Sequence, residues 1–427
     1  MKRILCFLAG VLFSVTIVAE AAELATIGYV HKLLEHNYGV YVPMNDTLTD
    51  ADKDTPANME YLLYVVDIAN EFISGTRTNY SSSIYATDDA ADIIATKQAY
   101  DTLLKEIEEV QHDFPFEMTV TGDSVSFTIS AQGEFYVEWG DGIEETIIKT
   151  DTINQTYSHS YSSTNYEGYL VRLGGRATDY NDDVTTPVIS FYNNSSISTI
   201  QGNLSAIFPT LANGKNPRFY QTFAETSITG AIPANLFIDL TGTPVENMFY
   251  RTFYGSNGFR GAIPENLFGT MTGAPAKAMF YETFRGVTQL TGGIPQKLFS
   301  GITGAPAEDM FYGTFYGLSK LRGTIPTGTF AGISGAPAPG MFNQTFANCS
   351  KLSALGEDLF GELSGEPQTN MFYRTFYGDK KLSGYSVKLN GKYLYEIWPN
   401  ATSAQVGGMY SSCNKLSDYK SIPSAWR

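Results

Sequence analysis

The 427-residue chain has only three cysteines and four histidines, too few for a disulfide framework, a zinc-finger array or a cysteine-centred catalytic site. Charged residues are scarce as well, at 17% against roughly 25% in ordinary soluble proteins. Basic residues are the scarcer kind. The 28 Lys and Arg against 44 Asp and Glu give a formal net charge of −16, which repels nucleic acid and anionic membrane surfaces. Beyond residue 18 no apolar run approaches the roughly 20 residues of a spanning helix, so the sequence predicts no integral membrane span in the mature chain. G-x-S-x-G, the P-loop and a strand-anchored G-x-G-x-x-G are missing too. What is present in quantity is apolar and aromatic: 43% hydrophobic and 14% aromatic residues exclude a disordered chain. The length suffices for roughly two to four domains.

Lys2 and Arg3, the apolar run from Ile4 to Val18, and Ala19-Glu20-Ala21 have the layout of a secretory signal peptide. The pattern predicts cleavage after residue 21 and export to the cell surface, the periplasm or the medium. Residues 22–113 then show helical spacing, as in Leu24, Ile27, Val30 and Leu34, or Met59, Leu62, Leu63 and Val66. This predicts a helical N-terminal region. Over 114–186 the period changes to two. Phe116, Met118 and Val120 alternate, as do Val125, Phe127 and Ile129, and Phe135, Val137 and Trp139. Short strands at regular intervals predict a β-sandwich.

From 187 to 427 the chain repeats. Thr222-Phe223, Thr252-Phe253, Thr283-Phe284, Thr314-Phe315, Thr345-Phe346 and Thr375-Phe376 recur at 30- or 31-residue steps, with a diverged Met409-Tyr410 at the end. A fixed period in this range predicts a stack of about six to seven units, each burying its apolar face on the next. Phe249 and Phe253, four residues apart, are expected to share one face of a single helical turn. Leu290 with Ile294, and Leu321 with Ile325, are expected to form a short strand that Pro295 and Pro326 terminate. Cys349 and Cys413 occupy one column two units apart. That places them roughly 9–10 Å from each other at the strand spacing, beyond the ~7 Å reach of a disulfide. Both are expected to be free and buried.

Two resemblances follow from these residues. Trp139-Gly140-Asp141-Gly142, the later His159-Ser160-Tyr161 and the Tyr169–Leu173 strand resemble a PKD-like, immunoglobulin-type domain. The unit F-Y-G-x-x-x-L-x-G-x-I-P-x-x-L-F, with Cys349-Ser350-Lys351-Leu352 and Cys413-Asn414-Lys415-Leu416, resembles the BspA-like leucine-rich repeats of bacterial surface proteins. Most units lack that family's cysteine. The expected fold is therefore multidomain: an α-helical N-terminal segment, a PKD-like β-sandwich, then a leucine-rich-repeat solenoid with short parallel strands. The resemblance implies a cell-surface or secreted protein that binds an extracellular protein or glycan, in adhesion or host interaction, and carries no shared catalytic residue.

The remaining motifs point to no cofactor, metal or catalytic group. His31 and His36 are five apart, roughly 140° around a helix, and Lys32 stands where a zincin motif needs Glu. Asp141 and Gly142 read as turn residues and His159 as structural. The adjacent pairs Glu108-Glu109 and Glu144-Glu145 diverge on a helix or strand, unlike the paired carboxylates of a glycosidase. Tyr220, Tyr250, Tyr281, Tyr312 and Tyr373 recur at one repeat position, with Asn343 interrupting. Exposed, they form a ladder for stacking on sugars or on a partner's side chains; half-buried, they form an outer packing wall. A second strip, with Arg260 and Arg322 among Thr229, Ala231, Ala262, Thr291, Gly293 and Thr324, suits an extended or acidic ligand. Two alternatives stand beside the binding protein. One is a polysaccharide-acting hydrolase that uses the repeats as a platform; the other is a purely structural envelope protein.

Overall fold

Alternation of apolar and polar residues turns one face of each strand inward, and the first part of the structure is built on that rule. The computed structural model describes residues 113–427 except 164 and 166; the predicted signal peptide and helical region lie outside the described residues apart from residue 113. Eight strands come first: β1 (Phe116–Val120), β2 (Ser124–Ile129), β3 (Gln132–Glu138), β4 (Glu144–Lys149), β5 (Gln155–Ser160), β6 (Tyr169–Asp179), β7 (Ile189–Ser190) and β8 (Ile197–Gly202). They form two antiparallel sheets, one ordered β4-β3-β6-β1-β8 and one β5-β2-β7. Phe116, Met118, Val120, Val125, Phe127, Ile129, Phe135, Val137 and Trp139 are all buried. Strands β7 and β8 lie past residue 186, so both sheets take strands from the stretch assigned to the repeats.

The W-G-D-G turn joins β3 to β4. Gly140 and Gly142 have φ of 82° and 88°, and Asp141 Oδ1 accepts from the Ile143 N–H at 3.2 Å. Asp141 Oδ2 also meets His159 Nε2 at 2.7 Å, while the His159 ring stacks on Trp139 at 5.0 Å. Burial pushes the Asp141 carboxyl up, but the His159 and Ile143 contacts outweigh it and hold the group below its ordinary value. Both residues fasten the turn.

After β8 the expected leucine-rich-repeat solenoid, with its ladder of short parallel strands, does not form. Parallel pairing is broken into small separate sheets: Gly230–Ala231 with Phe259–Arg260, Thr241–Gly242 with Thr270–Met271, Arg322–Ile325 with Lys351–Leu355, and Ser334–Gly335 with Glu362–Leu363. Isolated bridges such as Gly261 to Leu290 lie between them. The expected strand carries Gly261, Gly292 and Gly323 at φ of 83°, 82° and 91°; pairing at Gly261 shrinks to an isolated bridge, and within Arg322–Ile325 the register shifts between Gly323 and Thr324. Among the described residues α-helix is confined to the single turns Leu204–Ile207, Leu394–Ile397 and Ser403–Val406. No described helix is long and apolar enough to cross a membrane.

The helical turn expected at Phe249 and Phe253 is also absent. The segment is a run of tight turns with a left-handed residue every fourth position: Asn247, Arg251 and Gly255, then Ala278, Glu282 and Gly286, then Asp309, Gly313 and Gly317. Positive φ is incompatible with a right-handed helix. The N–H groups divide their duties accordingly. Those of Tyr250, Thr252 and Tyr254 bond three residues back, whereas those of Phe249, Arg251, Phe253 and Gly255 reach Met279, Tyr281, Thr283 and Arg285 of the next unit at 2.8–2.9 Å.

Stacking in register turns each repeat position into a column. Phe249, Phe280, Phe311, Phe342 and Phe372 stack at 5.4–5.7 Å. Phe223, Phe253, Phe284, Phe315, Phe346 and Phe376 form a second column, which Phe191 joins to Phe116 in the first sheet. One core thus runs through the compact unit Phe114–Arg427. Beside it the threonine of each Thr-Phe pair from Thr252 to Thr375 donates to a carbonyl of the preceding unit, as Thr283 does to Phe249 and Thr314 to Phe280, both at 2.8 Å.

The next column reads Thr226, Ser256, Val287, Leu318, Cys349, Asp379 and Cys413. Cys349 and Cys413 are free and buried, and their thiols donate to the Phe315 and Phe376 carbonyls at 3.0 Å. Ser256 donates likewise to Phe223. Asp379, the rung between the cysteines, is fully buried with neither carboxyl oxygen hydrogen-bonded. Burial pushes its carboxyl well above the usual range, and only the protonated acid can act as a donor in this column. A carboxyl that is more basic folded than unfolded contributes stability in acid and loses it as pH rises from its unfolded value, roughly 3.9, through its folded one. Chemical denaturation across pH should therefore show stability declining over that window. Asp379→Ser should flatten the decline and, by removing an unpaired buried group, gain roughly 1–3 kcal/mol at pH 7; an unchanged slope would count against the assignment.

Candidate functional site

The outer wall of the repeats carries the densest group of candidate residues. Its backbone position is fixed by the left-handed residue that follows each tyrosine, which turns the ring outward while the preceding phenylalanine points in. Tyr220, Tyr250, Tyr281 and Tyr312 stack face to face at 4.7, 4.7 and 4.4 Å, with planes within 13°. Each ring is half-buried, and burial raises the hydroxyl pKa of Tyr220, Tyr250 and Tyr281. The rings occupy one another's faces. The open ladder for sugar stacking is not formed along this stretch; the packing wall is.

Tyr373 belongs to the same column but is cut off from Tyr312. Asn343 sits in the missing ring's place, buried, with its Oδ1 lacking a hydrogen-bond partner. Gln344 reaches from this rung to the Tyr312 hydroxyl at 3.3 Å.

A second set of residues, which neither motif nor spacing singled out, borders the stack. Glu282 is 2% exposed and lies between Arg251, at 2.6 Å, and Arg285. Two cations around one carboxylate satisfy a charge that burial alone would not permit. Arg251 lies over Tyr250 and Tyr254 at 5.2 and 4.9 Å from the ring centroids. Arg285 lies over Tyr316 at 4.3 Å, and Arg374 over Tyr373 and Tyr377 at 5.0 Å. These are cation–π distances. The column holding Gln221, Arg251, Glu282, Gly313, Gln344 and Arg374 shares no chemistry, only a φ of 50–55°. Residue type therefore did not reveal it.

Arg260 and Arg322 stand apart from this wall on separate strand pairs, both exposed. Arg260 lies opposite Ala231. Arg322 lies opposite Lys351, a neighbour that the repeat spacing did not bring forward. None of the three basic residues has an ion-pair partner among the described residues. Asp141 and His159 are brought together, but as the turn clasp described above. His31 and His36 lie outside the described residues.

Restoring the interrupted column tests its packing. Asn343→Tyr would add a ring between Tyr312 and Tyr373 and remove the orphaned amide oxygen. Each aromatic pair contributes roughly 0.5–1.5 kcal/mol, so thermal unfolding should show a gain of about 2 kcal/mol and a Tm raised by a few degrees. A loss of stability would mean that the gap cannot hold a ring. Comparison with known protein families, with curated proteins and with solved structures finds no match for this chain.

Proposed function

We propose that this chain is an exported, non-enzymatic binding protein whose outer repeat wall engages a protein partner. The observation that carries this reading is the rigid stack of Tyr220, Tyr250, Tyr281 and Tyr312, bordered by Arg251, Arg285 and Arg374. Tyrosine and arginine are enriched in the energetic centres of protein interfaces. Their side chains are already ordered in the folded chain, which lowers the entropy lost on association. The ring faces are occupied by neighbouring rings, so the wall lacks the platform on which a sugar stacks. Its edges and hydroxyls suit the polar groups of a polypeptide. Arg260, Arg322 and Lys351, exposed on strand pairs apart from the wall, offer further basic positions for acidic side chains on that partner. Export is supported by the charged, apolar and small-residue pattern of residues 1–21.

An array of extracellular-matrix proteins and glycans separates this function from a purely structural one. The wild-type chain should bind one or more protein spots. The variant Tyr220→Phe, Tyr250→Phe, Tyr281→Phe keeps the stack and removes three hydroxyls, each hydrogen bond contributing about 1 kcal/mol. It should bind those spots at least tenfold more weakly with an unchanged Tm. Equal binding by the variant, or no protein bound by the wild type, would contradict the proposal.

A further inference from the structure

A second surface lies away from the wall, on the smaller sheet. Strands β2 and β5 pair Ser124 with Ser160 and Ser126 with Ser158. Because Val125 and Phe127 point into the core, the four serines share the outer face. The segment from Tyr192 to Ser196, between β7 and β8, rises beside them. Together they enclose an open cleft of about 430 Å3, within the roughly 300–1,000 Å3 typical of small-ligand sites.

The far side of this cleft is held firmly. Phe191 and Asn193 donate their N–H groups to Thr222 and Ala224 of the first repeat, at 2.8 and 2.9 Å, and Ser227 donates to Asn194 at 3.2 Å. The Asn194 side chain bonds the Ser126 carbonyl and the Ser196 N–H, both at 2.9 Å. Tyr192 is tethered at its hydroxyl by Glu225 at 3.2 Å, yet remains 51% exposed. The ring is thus fixed in orientation while the cleft stays open.

The chemistry inside is uniform. The lining carries six serines, two asparagines, one valine and one tyrosine, with no charged side chain. The side chains of Ser126, Ser158, Ser160, Ser195, Ser196 and Asn193 make no hydrogen bond to another described residue, which leaves them free to bond a ligand. A hydroxyl both donates and accepts, and so does each hydroxyl of a sugar. Two carboxylates stand close by, Asp123, which accepts from the Ser124 hydroxyl at 3.3 Å, and Glu225 behind Tyr192, and the Arg251 charge also acts on the Tyr192 hydroxyl. With no basic side chain in the lining, phosphates, uronates and acidic peptides find no cationic partner there. An exposed aromatic ring supplies a surface for the apolar C–H face of a pyranose.

We infer that the cleft between the outer serines of β2 and β5 and the Tyr192–Ser196 segment binds a neutral saccharide, with Tyr192 as its stacking platform. Native affinity electrophoresis tests this with a neutral β-glucan, a neutral mannan and a neutral galactan cast in separate gels, and polygalacturonate in a fourth. Wild-type protein should be retarded in at least one neutral gel and run freely in polygalacturonate. Tyr192→Ala should abolish most of the retardation, at least fivefold in apparent affinity, whereas Tyr192→Phe should retain it. Ser158→Arg, an exposed strand position, should block the cleft without touching the Tyr192 tether, and thermal melts should show each variant folded. No retardation in any neutral gel, retardation only in polygalacturonate, or variants Tyr192→Ala and Ser158→Arg retarded like the wild type would overturn the assignment.

Discussion

The hydrogen bond from one repeat to the next is the interaction on which the rest of this structure depends. Within each tyrosine–phenylalanine segment alternate N–H groups leave their own unit and bond the following one. That division is possible only because a residue with positive φ returns every four positions and resets the chain direction. Had those residues adopted helical angles, the same N–H groups would have been consumed within the segment. No unit would then hold its neighbour in register. The threonine column reinforces the arrangement with one side-chain bond per rung.

Register then converts sequence recurrence into chemistry. Equivalent rings of successive units arrive at centroid spacings of 4.4–6.1 Å, so a change in one unit creates a local defect in a continuous column. Asp379 between Cys349 and Cys413 is one such defect and Asn343 between Tyr312 and Tyr373 another. Both leave polar atoms unpaired in the interior, at a cost of roughly 1–3 kcal/mol each. The long phenylalanine columns on either side supply enough buried area to carry them. The same register exposes an ordered edge of tyrosines, while the serine cleft arises where the first repeat pins the segment between β7 and β8.

Much of this was legible in the sequence. The period, the columns and the inward residues of β1, β2 and β3 follow from spacing alone, as does the separation of the two cysteines. The backbone between the columns was not legible. Arg251, Ala278, Glu282 and Gln344 adopt left-handed angles that their side chains do not favour, whereas the four-residue spacing of Phe249 and Phe253 pointed to a helical turn. A resemblance in leucine, glycine and proline positions pointed to a parallel-stranded solenoid, yet the positive-φ glycines inside the expected strand shorten its pairing or shift its register, and the described parallel pairs are small separate sheets. Glu282 was hidden because its partners, Arg251 and Arg285, lie on both sides of a unit boundary. The serine cleft joins residues 124–126, 158–160 and 192–196, a proximity that only strand pairing creates.

The left-handed backbone is tested most directly by the thermal stability of Gly317→Ala set against Gly293→Ala. Gly317 has a φ of 78° and nothing within 4 Å of an added Cβ, while Gly293 lies outside the left-handed region with one ordinary contact at 3.4 Å. Space is therefore available at both sites, and backbone conformation is the difference. Gly293→Ala should stabilise by about 0.4–1 kcal/mol through the unfolded chain, and Gly317→Ala should destabilise by roughly 1–2 kcal/mol. A Gly317→Ala protein at least as stable as the wild type would contradict the account.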